Sequence, residues 1–307
     1  MTRDLVRIGV DLGGAKIEAI ALGAGGETLA RRRVATPAHD YAAIVAAVAK
    51  LVGDVETETG RRGVVGVGAP GAISTHTGLV KNSNTAVING KPLDVDLAQA
   101  LGRPVRVAND ANCFALSEAI DGAGRDAGVV FGVILGSGVG GGVVVDGRIV
   151  EGRNRVAGEW GHAPLPWMTE DEYPGELCFC GHKGCIETFL CGAGLSRDYE
   201  RRSRARRPAT EIAVLAAAGD AGARETLERY QDRLARALAM VVDLIDPDVI
   251  VLGGGLSNIS RLYEGLAARV GENAFTDAFD TNILPNARGE SSGVRGAAWL
   301  WRAGEAG

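Results

Sequence analysis

Three thiols and an imidazole form the most chemically specific group in the chain. Cys178, Cys180 and Cys185 follow a C-x-C-x4-C spacing, with His162 upstream. Three thiolates and one imidazole make a closed, four-coordinate zinc set, and a closed set is structural because no position remains for a catalytic water. His182 lies inside the cysteine loop and is a rival ligand. His162 is preferred, because a histidine between Cys180 and Cys185 would strain a small ring. The bland alternative is three free thiols in a loop. Cys113 and Cys191 fall outside the spacing and read as small buried hydrophobes. Five cysteines, an odd number, argue against a disulfide framework.

Three glycine loops offer backbone N–H groups to anions. In Asp11-Leu12-Gly13-Gly14-Ala15-Lys16, the glycines allow close approach to phosphate oxygens. There Lys16 adds positive charge and Asp11 could hold a metal-bound water; a plain β-turn is the competing reading. The second loop, 136–142, satisfies G-x-G-x-x-G, but residues 143–145 read as a strand where the dinucleotide fingerprint needs a helix. A hairpin carrying the Ser137 hydroxyl suits phosphate cradling better, and five glycines in seven positions exceed what one turn requires. Gly253-Gly254-Gly255 could pass close to a nucleobase or ribose, or simply turn from strand to helix. Among carboxylates, Asp110 follows Asn109 at a strand end, Glu159 precedes His162, and Glu187 follows Cys185. A zinc knot would present Glu159 and Glu187 as acceptors for a polyhydroxylated ligand; each alone reads as a surface carboxylate.

These side chains need a scaffold. Residues 5–11, 16–22 and 27–34 read as three strands of an antiparallel meander. Tyr41, Ile44, Val45, Val48, Leu51 and Val52 recur at helical spacing behind an Asp40 N-cap, which predicts a helix over 40–52. Residues 64–67 and 105–108 read as strands, and 93–101 and 111–120 as helices. Residues 129–135 and 143–145 are strands around the second loop, with an Asp146-Gly147 hairpin turn after them. Strand, glycine loop, strand resembles the start of the chain, a duplication in pattern only. Leu227, Tyr230, Leu234, Leu238, Val241 and Ile245 share one face of a helix over 224–246 that Pro247 ends. A strand at 248–252 and a helix over 256–270 follow, and the hinge is expected just after residue 110.

At 307 residues the chain suits two domains and can bury a core without staples. With 46% hydrophobic and 23% charged residues, it is neither disordered nor a disulfide-dense secreted module. A net charge of −5 gives no positive field for nucleic acid or an anionic membrane. The Arg-rich run at 197–207 lacks aromatics beyond Tyr199 and reads as a solvated helix face. There is no signal-peptide core and no charge-free apolar stretch of ~18 residues, so a cytoplasmic location is expected.

In this order, DLGGAK at 11–16, NDANCFALSEA at 109–119, LGSGVGGG at 135–142, GEWGH at 158–162, CFCGHKGCIETF at 178–189, DPDVIVLGGGLSN at 246–258 and SSGVRGAAWLW at 291–301 resemble the ROK family of sugar kinases and related repressors. The likeness covers essentially the whole chain. VKNSN at 80–84, NGKPLD at 89–94, GEWGHAPLPWM at 158–168 and SGVRGAAWLW look most like the bacterial fructokinase (mannofructokinase) branch, with N-acetylglucosamine kinases as the nearest rival.

The resemblance implies an α/β, actin-like ATPase (ribonuclease H-like) fold with two lobes around a nucleotide and sugar cleft. The small lobe would be 1–112 plus 293–307, its last helix packing back near 293–302. The large lobe would be 113–292, with the zinc-binding segment at 162–185. The implied activity is ATP-dependent phosphorylation of D-fructose at its 6-hydroxyl; N-acetylglucosamine, glucose and mannose are alternative sugars. Gly9, Asp11, Gly13, Gly14, Ala15, Lys16, Gly136, Ser137, Gly138, Val139 and Gly140 would embrace the ATP phosphates, and Gly254 and Gly255 would border the adenosine. Asp110 would be the general base. Gly71, Asn84, Asn109, Asp110, Glu159, His162 and Glu187 would bind the sugar. His162, Cys178, Cys180 and Cys185 would hold structural zinc, and Asp11 would anchor Mg²⁺ through water. The family usually has Thr where Ala15 and Ser137 stand, so the first loop lacks a hydroxyl. A homodimer is expected from the family. A repressor of the same family would need a helix-turn-helix before the first loop, where only eight residues precede Gly9. Asp110 and the two main glycine loops speak against a non-catalytic sugar sensor.

Overall fold

The computed structural model describes residues 5–302 and 305; the outer ends of the lobe expected at 1–112 plus 293–307, namely 1–4, 303–304 and 306–307, lie outside the described residues. Strands β1 (Arg7–Leu12), β2 (Lys16–Leu22) and β3 (Thr28–Ala35) form the meander that their apolar spacing predicts. Helix α1 (Tyr41–Thr59) starts at Asp40, whose carboxylate accepts from Ala43 N at 3.1 Å. It continues past residue 52, because Val55 is still buried, and ends at Gly60 with φ 63°. β4 (Val64–Ala69) returns parallel to β1. A short hairpin of β5 (Ala72–Ile73) and β6 (Val80–Lys81), then α2 (Leu93–Leu101), leads to β7 (Val105–Asn109), which pairs parallel to β4. α3 (Asp110–Asp121) leaves directly from the end of β7.

β8 (Val129–Leu135), β9 (Val139–Val145) and β10 (Arg148–Ile149) open a second meander. Then come α4 (Ile186–Leu190), α5 (Gly192–Ser203), α6 (Ala209–Ala217), α7 (Ala221–Ile245), β11 (Val249–Gly253), α8 (Leu266–Asn273), β12 (Asn282–Pro285) and α9 (Ser292–Trp299). The sheets run β3-β2-β1-β4-β7 and β10-β9-β8-β11-β12. The two orders match strand for strand, so the duplication seen in sequence as pattern is present in topology.

Two expectations change. The second glycine loop is short, because β9 starts at Val139. A Cβ on Gly141 would stand 2.7 Å from Trp160 Cδ1 and 2.9 Å from Phe131 Cζ, so packing requires that glycine. The helix expected over 256–270 is broken into 3-10 turns at Gly255–Asn258 and Ser260–Tyr263 followed by α8. Gly265 interrupts it at φ 71°, and Tyr263 donates back to Ser257 O at 2.9 Å.

The chain forms two compact units, one of Met1–Arg125, Gly142–Ala157 and Ala287–Gly307, the other of Asp126–Gly141 and Gly158–Asn286. In the first, Ile8, Val10, Ile17, Ile44, Val48, Val65 and Val67 are fully buried where α1 and α2 cover the sheet. The other face of that sheet meets α9, with Ile20 and Leu22 packed on Val294 and Ala298 and backbone lying against backbone at glycines. A Cβ on Gly9 would lie 2.0 Å from Val294 O, one on Gly66 1.9 Å from Ala297 O, and one on Gly296 1.6 Å from Cys113 O in α3. In the second unit, Tyr230 of α7 is buried and donates to Leu190 O at 2.8 Å. Arg233 and Arg236 of the same helix hold Glu172, at 2.7 and 2.8 Å, and Arg236 also donates to Pro166 O and Trp167 O. Burial alone would push Glu172 up, but those hydrogen bonds bring it from 4.5 down to about 2. Its stabilisation is therefore complete above the unfolded value and is lost as pH falls through about 2. Among the described residues, no helix is long and apolar enough to cross a membrane.

Two glycine substitutions test the α9 contact. Gly66→Ala puts a methyl against a backbone carbonyl and should destabilise the protein by roughly 2–3 kcal/mol or more in urea titration. Gly53→Ala, in α1 with no atom within 4 Å of the new methyl, should stabilise by about 0.5–1 kcal/mol. A Gly66→Ala protein as stable as the parent would mean that α9 is not seated on β4.

Candidate active site

The first loop turns between β1 and β2 with its backbone partly spent. Gly13 N donates to Lys16 O at 3.0 Å, Thr36 N to Ala15 O at 3.0 Å, and the Thr36 hydroxyl to Gly13 O at 2.7 Å. Gly14 and Ala15 are exposed, and among the described residues their N–H groups have no partner in the chain. Sequence reasoning missed Thr36; its place beside the loop follows only from the pairing of β2 with β3. Gly9, expected at the phosphates, is buried under α9, and the packing there requires its glycine. Asp11 closes β1. Burial, then the charges of Asp110 and Glu18, push its carboxyl up to about 6, against the pull of Lys16 and Arg33.

Asp110 is the first residue of α3. Asn109 caps that helix, its Oδ1 accepting from Ala111 N at 2.9 Å and Asn112 N at 3.3 Å, while Asp110 Oδ1 accepts from Ala111 N at 2.8 Å. Burial raises Asp110 above its ordinary value, although the Ala111 amide works the other way. A raised carboxylate at a strand end is well placed to take a proton. Asn109 Nδ2 donates to Gly71 O at 3.1 Å, which ties the β5–β6 hairpin to the start of α3. Gly71 sits at φ 82°, and a Cβ there would meet Lys81 O at 2.4 Å. Gly71 and Asn109 line a small pocket of about 20 Å³ with Pro70, Ile73, Val107 and Asn112, whose buried Oδ1 has no hydrogen-bond partner among the described residues. Asn84 is exposed just beyond β6.

In the second unit, Gly136 N donates to Gly138 O at 3.0 Å, which leaves Ser137 exposed at the tip between β8 and β9. Val139 N donates to Glu187 Oε2 at 2.9 Å, and a Cβ on Gly138 would lie 2.6 Å from that oxygen. Glu187 thus holds the second loop, a role that its distance of 48 residues hid in the sequence. Gly140 lies in β9, where its carbonyl accepts from Trp160 Nε1 at 3.0 Å. Gly254, at φ 82°, passes so close to β8 that a Cβ would reach Leu135 O at 2.4 Å, whereas a Cβ on Gly255 would meet nothing within 4 Å. Packing therefore accounts for the first of these two glycines, and the second faces open space.

His162, Cys178, Cys180 and Cys185 bring one ligand atom each within 4.8 Å of the others. His162 Nδ1 lies 3.5 Å from Cys178 Sγ, and Cys180 and Cys185 are 3.6 Å apart. Tetrahedral zinc with bonds near 2.3 Å separates its ligand atoms by about 3.8 Å, so the donors and spacing fit that ion. The His182 backbone N–H lowers Cys180 to about 6, which favours the thiolate; burial pushes Cys178 up and takes Cys185 to about 12. His182 Nδ1 lies 3.6 Å from Cys180 but stands outside the quartet. With Nδ1 turned to the thiols, His162 Nε2 is 4.0 Å from Glu159. Cys113 and Cys191 are buried away from the quartet, Cys191 Sγ accepting from Gly194 N at the start of α5.

Known proteins match this arrangement over almost its whole length. The N-acetyl-D-glucosamine kinases of Vibrio cholerae serotype O1 and Escherichia coli O157:H7 are 43% and 40% identical, each aligned over 95% of this chain and 98% of the relative. These relatives overturn the fructokinase expectation: the branch likeness rested on short segments, whereas the identity with N-acetyl-D-glucosamine kinases runs through the chain. Among solved structures, the ROK hexokinase from Thermus thermophilus superposes with a TM-score of 0.85 at 30% identity, covering 96% of this chain and 97% of that one. The Streptomyces griseus ROK family glucokinase in complex with glucose and AMPPNP gives 0.76 at 28%, covering 97% and 100%. The fold is accordingly the α/β, actin-like ATPase (ribonuclease H-like) fold. The profile of the ROK family matches residues 7–304, and with relatives this similar from end to end the chain belongs to the ROK family.

Proposed function

We propose that the chain is an ATP-dependent N-acetyl-D-glucosamine kinase acting on the sugar's 6-hydroxyl. The observation that carries this reading is the 40–43% identity to N-acetyl-D-glucosamine kinases over 95% of the chain. Phosphoryl transfer asks mainly for positioning and charge neutralisation, and the parts suit that demand. Asp110 takes the proton from the 6-hydroxyl as that oxygen attacks the γ-phosphorus in line. The free N–H groups of Gly14 and Ala15, with Lys16, receive phosphate oxygens. Ser137 and the turn at 136–138 also receive phosphate oxygens, and Gly255 leaves room for the adenosine. Asn84, Asn109, Glu159, His162 and Glu187 bind hydroxyls, with Gly71 at the wall.

Mg²⁺, when bound with ATP, would offset the phosphate charge, and Asp11 fits it because burial and the charges of Asp110 and Glu18 raise that carboxyl by more than Lys16 and Arg33 lower it. Zinc, when bound by His162, Cys178, Cys180 and Cys185, cross-links the 160–185 segment and contributes no chemistry to the transfer. Its outer partners are organised by the same ligands: His162 orients Glu159, and Cys185 leads into α4, which carries Glu187.

ADP release from Mg-ATP with N-acetylglucosamine, fructose, glucose, mannose and a no-sugar blank decides the substrate. N-acetylglucosamine should lead fructose in kcat/KM by at least ~10²-fold; a fructose preference, or release indifferent to sugar, overturns the reading. Asp110→Asn should lower kcat by ~10²–10⁴ with sugar affinity retained. Because Asp110 must be ionised and is raised, the acid limb of the pH profile should lie above the ordinary 3.8, with activity lost as pH falls. An intact limb in Asp110→Asn would assign the base elsewhere. For the metal, atomic absorption should find about one zinc per chain. Cys180→Ser should lower that content, the melting temperature and sugar affinity together; unchanged melting and affinity would remove zinc from the site's support.

A further inference from the structure

The first phosphate loop has no hydroxyl of its own, since Ala15 stands between Gly14 and Lys16. The nearby Thr36 hydroxyl is already committed to Gly13 O. One other hydroxyl borders the loop. Thr85 Oγ1 lies 3.5 Å from where a Cβ on Gly14 would stand.

Thr85 is held firmly on a short turn beyond β6. Asn89 clamps Ser83, accepting from Ser83 N at 2.9 Å and donating to Ser83 O at 2.8 Å. Ser83 Oγ in turn accepts from Thr85 N at 3.0 Å, and Thr85 O accepts from Ile88 N at 3.1 Å. The residue is only 8% exposed, so its side chain has little freedom. Yet among the described residues Oγ1 has no hydrogen-bond partner, and it is not among the oxygens sealed from solvent. The residue is buried but its oxygen is open to a ligand or solvent. Here it lies next to two exposed, unpartnered N–H groups, those of Gly14 and Ala15. The Thr85 hydroxyl and the Gly14 and Ala15 N–H groups have no acceptor among the described residues, and an anion seated beside Gly14 would supply one.

We propose that Thr85 is a phosphate-contacting residue of this site, its hydroxyl donating to the same terminal phosphate of ATP that the Gly14 and Ala15 N–H groups receive. It supplies from a neighbouring turn the hydroxyl that Ala15 lacks. Asn84 beside it faces the sugar in the reading above, so two adjacent residues touch the two reacting partners. The inference rests on the kinase reading, and no bond is made or broken at Thr85.

Thr85→Val keeps the shape and removes the hydroxyl; Thr85→Ser keeps the hydroxyl. Thr85→Val should lower kcat by roughly 10–100-fold and weaken Mg-AMPPNP binding, measured by calorimetry, by about 5–10-fold. Thr85→Ser should stay within about threefold of the parent on both. Adding Ala15→Thr to Thr85→Val should recover part of the loss, by returning a hydroxyl to the loop. Parental kcat and AMPPNP affinity in Thr85→Val overturn the proposal, as does Thr85→Ser being as impaired as Thr85→Val, which marks packing. If the parent binds AMPPNP but no sugar stimulates ADP release, the kinase reading fails while the affinities still decide Thr85. A parent that binds no AMPPNP overturns both.

Discussion

Helix α9 meets the first sheet backbone to backbone, and what the first unit presents to a ligand depends on that contact. Gly9, Gly66 and Gly296 leave no side chain at the three points where chain meets chain. The same helix is bolted to α3: Ser292 donates to Glu118 Oε1 at 2.7 Å, and Glu118 Oε2 accepts from Ala123 N and Ala287 N. α3 begins with Asp110, and a Cβ on Gly293 near the start of α9 would lie 3.7 Å from the Asp11 carboxylate. The last helix of the chain therefore fixes the height of both carboxylates over a sheet made by its first strands. Interiors are close-packed and do not yield to an added methyl, so this geometry tolerates little drift.

In the second unit the corresponding constraint is the thiol–imidazole quartet. Cys185 ends the loop and α4 begins at once, so ordering the quartet orders Glu187. Glu187 then holds Val139 N, and Cys178 Sγ lies 3.9 Å from its other oxygen. A metal on these thiols would stiffen the second glycine loop through Glu187. Arg236 fixes the other side of the segment through Glu172 and two carbonyls, which explains why a region with little regular structure can be a firm support.

Much of this was legible in the residues, and what was missed has a physical reason. Asp40 caps its helix as its residue type suggests, and apolar periodicity located α1 and α7, although α7 starts at Ala221 behind an Asp220 cap that the expected start at 224 missed. The C-x-C-x4-C spacing and His162 converge as expected, because a short loop can bring its own ligands together. Contacts far apart in sequence were hidden. Gly9 and Gly141 looked like ligand glycines, but they make room for a helix and a tryptophan that only the fold brings there. The break at Gly265 was missed because periodicity continued across it. Fructose was the wrong sugar because short segments shared across branches do not fix the placement of a few hydroxyls, which is where discrimination between sugars resides.

The two meanders share a strand order but spend their glycines differently. In the first, Gly14 and its neighbour stand exposed, and the tip offers two unpartnered amides. In the second, Gly138 and Gly141 admit a carboxylate and an indole, and only the Ser137 tip is left open. The charges differ in the same sense. Asp11 and Asp110 are both raised by burial, and the charge of Asp110 adds to the shift at Asp11, so the first unit holds two carboxyls whose charged forms burial disfavours. The first hairpin thus leaves amides open at its tip among the described residues, whereas the second is largely filled by its own chain.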